Sequence, residues 1–311
     1  MKLLFDYNNI YLDSASAYDI SEVNEREYVK ELLYQVKKNL GSYFESFQFY
    51  ILFSHDPLIV PETACIEAKN KILFWFSDES GTFPKHLVNN YCLIFKSYIH
   101  KEYSNVYCNP LGYVNEFVSQ ANKNSKTKDI EIFFSGNLNA NRYGLYKFLF
   151  FRKYNFLKLI KIIPDQVLIK LFQKLKINKL GRGRFVFLFS NKFKSGLRYE
   201  KYFEYLLRSK IILCPKGFHS NETFRHIEAL HAGGIIISEE MPMVSIYKNN
   251  PFLTYKSYPE LKKIFRMISK KNFDIEKLRK LHKFFYYNRF TVDAIAKRIS
   301  TICFNNYIKA E

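Results

Sequence analysis

The stretch Ser209 to Ser238 (SKIILCPKGFHSNETFRHIEALHAGGIIIS) gathers the residue types that bind phosphate. It reads as a strand over Lys210 to Leu213, a loop, a helix over Asn221 to His231, a glycine stop and a strand over Ile235 to Ser238. Ser220 or Asn221 suits the helix cap, accepting hydrogen bonds from first-turn amides, and Gly233 or Gly234 suits the left-handed residue at its end. Such a helix start turns unpaired N–H groups and the positive end of its dipole toward an anion. Lys216 and Gly217 stand on the entering loop, with His219, Glu222 and Thr223 close behind. Arg225 and Glu228, three residues apart, share a helix face. The arginine would pair with a phosphate near the amino end, and the glutamate one turn deeper would accept the two hydroxyls of a ribose. The alternative is an ordinary Arg–Glu pair on a solvated face, which contributes only a few tenths of a kcal/mol.

Acid–base chemistry needs a different group. Asp78 and Glu79 follow the apolar run Lys71 to Phe76, where Trp75 and Phe76 would back a carboxylate and raise its pKa into the general-base range. The alternative is an acidic turn ahead of Phe83 and Pro84. His55 and Asp56 offer a base with an orienting carboxylate, although neighbours on a strand point to opposite faces and Asp56 before Pro57 also suits a turn. Gly136, Asn137 and Arg142 form a phosphate-side loop after another strand. His219, His226 and His231 surround the phosphate-binding helix without a third ligand at zinc spacing, so no metal site is expected.

Two of these stretches resemble a known family. Arg208 to Gly217 (RSKIILCPKG) followed by Thr223 to Ile235 (TFRHIEALHAGGI) resembles the nucleotide-sugar motif of exostosin-type glycosyltransferases. Phe133 to Arg142 (FFSGNLNANR) is similar to the strand and loop that open their C-terminal domain. The resemblance covers roughly residues 129–245. Lys216 stands where an arginine is common in the family, and Gly234 is followed by isoleucines in place of the usual Cys-Ile-Pro. Phe76 to Ser80 (FSDES) also looks like the acidic strand end of bacterial fucosyltransferases. The resemblance implies a GT-B architecture: two facing Rossmann-like domains, a final helix crossing back to the first, and a UDP-sugar held mainly by the second. It implies no obligatory metal or other cofactor, Arg225 on the diphosphate and Glu228 on the ribose. The acceptor would be a hydroxyl of a lipid-linked or growing surface glycan of the lipopolysaccharide, O-antigen or capsule type. A base at Asp78 or Glu79 would make the transfer inverting; a retaining route without one stays open.

The elements that must position these groups alternate between short strands and helices, the pattern of an α/β fold. A helix over Ser21 to Asn39 precedes strands at Phe47 to Phe53, Lys71 to Phe76, Tyr91 to Phe95 and Asn105 to Cys108. Polar, basic residues from Gln120 to Lys128 read as a linker. Beyond it come strands at Asp129 to Phe134 and Phe185 to Phe189, a helix at Tyr199 to Leu207, and one or two helices over Asp274 to Ile308. The division is an acceptor-side domain over 1–125, a nucleotide-sugar domain over 126–290 and a final helix over 291–311. Phe284 to Tyr287 (FFYY) reads as packing.

With 311 residues, 48% hydrophobic, the chain can bury substantial cores, which excludes global disorder. Five scattered cysteines give no disulfide framework and suit a reducing compartment. Met1 to Phe5 meets Asp6 before a signal peptide's apolar stretch can form, and no run reaches membrane-span length. A cytoplasmic protein is expected, at most peripheral at the inner face of the cytoplasmic membrane. The basic amphipathic residues 148–179 would touch anionic lipid there. The net charge of +19 is compatible with biased composition or with an anionic partner. A nucleic-acid-binding protein is the rival reading, yet no zinc finger, RRM signature or basic helix-turn-helix appears. A non-catalytic sugar-binding scaffold is the third.

Overall fold

A computed structural model describes residues 2–123, 127–151, 164, 167, 170, 179–182, 184–190, 196–270 and 272–308. The described chain divides into two α/β units. The first comprises residues 1–118, 241–250 and 284–311, the second 119–240 and 251–283. The break after residue 118 falls earlier than the sequence places it, and the segment 241–250 returns to the first unit.

Strands β1 (Lys2–Leu3), β2 (Ile10–Leu12), β3 (Gln48–Phe53), β4 (Lys71–Phe76), β5 (Leu93–Lys96) and β6 (Val106–Cys108) form the first sheet in that order. All pairs are parallel except β1 with β2. The run KILFWF of β4 is buried along its whole length, as a strand covered on both faces must be. The helix expected from Ser21 is two pieces: a 3₁₀ turn, Ile20–Glu22, capped reciprocally by Asp19 and Glu22, and then α1 (Arg26–Leu40). Tyr28, Val29, Leu32, Leu33, Val36 and Leu40 repeat at helical spacing and form the buried face of α1. Gly41, at φ 57°, ends it. A short helix, α2 (Asn115–Val118), closes the first stretch.

The second sheet has the order β12-β11-β10-β7-β9-β8. Its strands are β7 (Ile130–Asn137), β8 (Lys179–Arg182), β9 (Phe185–Ser190), β10 (Ser209–Cys214), β11 (Ile235–Ser238) and β12 (Leu253–Thr254). Only β8 runs antiparallel to its neighbour. Among the described residues its helices include α3 (Tyr143–Phe151), α4 (Tyr199–Arg208), α5 (Phe224–His231) and α6 (Tyr258–Ile268). Then α7 (Ile275–Arg289) passes from the second unit into the first, and α8 (Val292–Ile308) packs on α1 within the first. Ile132, Phe134, Phe187, Ile211, Leu213 and Ile237 centre the core on one sheet face, while Phe133 stacks on Tyr205 of α4 on the other.

Two sequence expectations change, and a third falls largely outside the described residues. Lys128 is an anchor: its Nζ donates to the carbonyls of Leu207, Ser209 and Ala232, closing the ends of α4 and α5. The FFYY run is split, with Phe285 buried but Phe284 and Tyr287 exposed. The basic stretch 148–179 lies largely outside the described residues; its first member, Phe148, stacks on Tyr258 of α6. No helix among the described residues is long and apolar enough to cross a membrane.

Candidate functional site

In the second sheet the chain order reverses beside β7: β9 lies on one side and β10 on the other. A crevice outside the carboxyl ends of strands at such a point is where open α/β sheets take their ligands. Here β7 ends in Gly136 and Asn137, and β10 leads through Pro215 into Lys216 and Gly217.

Two guanidinium groups close on Gly136. A Cβ there would sit 2.8 Å from Arg225 Nη2 and 3.2 Å from Arg142 Nη1, so the missing side chain is what admits both. Both cations also stand over the Phe134 ring, Arg225 at 5.0 Å and Arg142 at 5.7 Å from its centroid. Arg142 is anchored: Nη1 donates to the carbonyl and Oδ1 of Asn137 at 2.9 and 2.7 Å, and Nε to the Lys216 carbonyl at 3.0 Å. Arg225 is different. Its Nη2 donates to the Ser135 carbonyl at 2.6 Å, whereas Nε and Nη1 are buried without a hydrogen-bond partner. Buried donors left unmade are costly, and more so on a cation, so an acceptor arriving from outside would satisfy this edge of the guanidinium.

The loops around this point are laced together. Asn141 Nδ2 donates to the carbonyls of Gly217 and Phe218, Gly217 N–H to the Ser220 carbonyl, and Asn221 Nδ2 to the Glu240 carbonyl. Ser220 Oγ accepts from the Glu222 amide, and His219 is exposed at the loop tip. Ser220 and Asn221 therefore brace the loop and do not cap the helix. The cap is Thr223 in extended geometry, whose hydroxyl takes the His226 amide while His226 Nδ1 takes the Thr223 amide at 3.2 Å. Helix α5 accordingly starts at Phe224, three residues later than expected, and Gly233 at φ 66° follows its end. Arg225 thus lies in the first turn, where the dipole disfavours a cation unless an anion sits beside it.

Glu228 does accept two hydroxyls, but they belong to tyrosines. Tyr199 donates to Oε1 at 2.8 Å and Tyr202 to Oε2 at 2.7 Å, and Glu228 is only 4% exposed. A solvated Arg–Glu surface pair is excluded by that burial. The carboxylate ties α5 to α4, and burial together with its charge raises the Tyr202 pKa. Glu239, beyond β11, lies near Lys216 and Arg142, and burial raises its pKa.

In the first unit the carboxylates after β4 separate into two roles. Asp78 is 1% exposed and pairs at 2.9 Å with Lys96 Nζ, itself fully buried over the Trp75 ring. The backing of Asp78 therefore contains a cation as well as the aromatic rings, and the carboxylate is held in that ion pair. Glu79 is half-buried, with Oε2 shut from water and lacking a hydrogen-bond partner. His55 is bonded at both ring nitrogens: Nδ1 donates to the Ser77 carbonyl at 2.6 Å, and Nε2 meets the Tyr18 hydroxyl at 3.1 Å. Asp56 Oδ1 takes the Leu58 amide at 2.9 Å, closing the turn at Pro57. The pair is thus spent on separate contacts.

Phe134, Ser135, Asn141, Tyr199, Tyr202 and Glu239 were not named as candidate site residues. The first three lie within the FFSGNLNANR stretch, and Tyr199 and Tyr202 carry a signal of their own, two hydroxyls three residues apart on a helix; Glu239 reaches the site through tertiary packing.

No protein-family profile matches the chain, and no curated protein sequence does. Among solved structures it is similar to a glycosyltransferase from Rickettsia africae ESF-5, at 13% identity and a TM-score of 0.48, over 89% of this chain and 81% of that one. It is also similar to the GtfA/B complex, at 9% identity and a TM-score of 0.47, over 91% of this chain and 60% of that one. At such distances the functional reading rests on the site's own residues.

Proposed function

We propose that the chain is a glycosyltransferase that moves a sugar from a nucleoside diphosphate donor, a UDP-sugar, to a hydroxyl of a lipid-linked or growing surface glycan. The observation that carries this reading is the pair of buried, unpartnered donors on Arg225, set beside Arg142 at the carboxyl end of β7. A diphosphate satisfies both donors and reverses the mutual repulsion of the two guanidinium groups. Lys216 and the first turn of α5 add positive potential on the same side.

In this reading Arg225, Arg142 and Lys216 stabilise the leaving diphosphate, the electrostatic task that a bound metal performs elsewhere. Gly136 and Asn137 give the phosphates room, and Gly217, His219, Ser220, Asn221, Glu222 and Thr223 shape the loop beside them. Glu228, one turn deeper than Arg225 and held by Tyr199 and Tyr202, is the residue assigned to the ribose. Glu79 accepts the proton of the attacking hydroxyl, so the new bond forms as the old one breaks on the opposite face and the anomeric centre inverts. The enzyme works at the inner face of the cytoplasmic membrane, where lipid-linked acceptors are presented.

Thermal shift with UDP, GDP and transfer RNA tests this. Stabilisation by one nucleoside diphosphate is expected. A shift with RNA alone would favour a nucleic-acid-binding protein, and no shift with any nucleotide a non-catalytic scaffold.

A further inference from the structure

The first unit contains a cavity of its own, of about 510 Å³, between the loop that follows β4 and the loop that follows β5. That is within the volume range of small-molecule sites, roughly 300–1,000 Å³. Phe83 and Tyr103 stand edge to face at 6.1 Å on its wall, while Lys85, His100 and Lys101 also line it. No carboxylate is among the lining residues.

Its walls are held in place. The β5–β6 loop is pinned by Glu102, which takes Arg298 Nη2 at 2.6 Å, the Ser245 amide at 2.8 Å and the Cys108 amide at 2.9 Å. Across from it Gly81, at φ 71°, lies against the His100 imidazole so closely that a Cβ would fall 2.2 Å from Nε2. Only glycine lets these two loops approach, since it alone combines that backbone with that contact. The cavity begins two residues after Glu79 in the chain, and Gly81 is part of its lining.

We infer that this cavity binds the acceptor by an anionic group attached to an apolar body, the chemistry of a prenyl-linked phosphate. The assignment rests on the glycosyltransferase reading for the word acceptor, but not for the ligand's chemistry. Aromatic walls without acids suit a hydrocarbon chain, and three basic side chains suit a phosphate. Neither half alone accounts for the lining. A free phosphate would leave Phe83 and Tyr103 unused; an uncharged lipid would leave the basic groups unused.

Geranyl phosphate, geraniol and inorganic phosphate, titrated into the full chain and followed by calorimetry, separate these contributions. Geranyl phosphate should bind more tightly than either fragment, and added salt should weaken it more than geraniol. The double variant Lys85→Glu with Lys101→Glu should weaken geranyl phosphate by about tenfold or more while leaving geraniol within about twofold. Tyr103→Ala should weaken both. These exposed positions leave the melting temperature as a control for folding. UDP titrated into the same samples keeps the two proposals apart. If UDP binds and geranyl phosphate does not, the cavity assignment fails while the donor site stands. If geranyl phosphate is lost in Arg225→Ala but kept in the double lysine variant, its phosphate sits in the second unit and the assignment is wrong.

Discussion

Arg225 is unusual among the described charged residues because two of its donors are neither solvated nor bonded. Its side chain contributes to folding through one hydrogen bond to Ser135 and the Phe134 ring, and it also repels Arg142. Arg225→Ala should therefore leave the melting temperature within a few degrees. Gly136→Ala attacks the same geometry from the strand side, since its Cβ would push the Arg225 guanidinium away; nucleotide affinity should fall although no charge is lost. The adjacent carboxylates should part company under mutation. Asp78→Asn leaves Lys96 charged and buried without a counter-ion, an expected loss of about 3–5 kcal/mol in denaturant unfolding. Glu79→Gln should leave unfolding unchanged and abolish turnover with UDP affinity intact; unchanged turnover would remove Glu79 from the role of base. The sequence named both residues but could not divide them, because Lys96 reaches Asp78 from a neighbouring strand eighteen positions on.

At the scale of elements, the strand–loop–helix–strand unit around α5 was legible because its signals are local: apolar runs, a Thr223 cap and a glycine stop. Its start was misplaced because several polar residues precede it, and only the fold decides that Ser220 and Asn221 bond to the loop. Buried histidines in and against this segment set its response to acid. His282 accepts the Ile236 amide at 3.1 Å, and burial lowers its pKa to about 4; burial lowers that of His226 to about 3. Both rings neighbour Phe252, at 5.7 and 6.0 Å. An unfolded chain protonates these rings near pH 6.5, whereas the folded one resists until about pH 4 or below, so the unfolded state binds more protons between those values. Stability should therefore fall as pH drops from about 6.5 toward 4, and His282→Gln, which can still accept from the Ile236 amide, should flatten part of that slope in pH-dependent thermal melts.

For the molecule as a whole, the α/β class and two units followed from the alternation of short apolar strands with helices, and the observed boundaries of β4 and β11 match the expected ones. The unit boundary did not follow. Lys128 looks like linker composition, yet it closes two helix ends by bonding to residues some eighty and a hundred positions away. Likewise the +19 charge cannot be read as a uniform basic surface, because Lys71, Lys96 and Lys128 spend theirs inside. The claim on which the account depends is that Arg225 and Arg142 clamp a nucleoside diphosphate. Its most direct test is calorimetric titration of UDP into the unmodified protein and into Arg225→Ala at low salt. The expected result is saturable binding that weakens by about tenfold or more in the variant, a loss of at least ~1.4 kcal/mol. Equal affinity in the two proteins, or no heat with either, would contradict it.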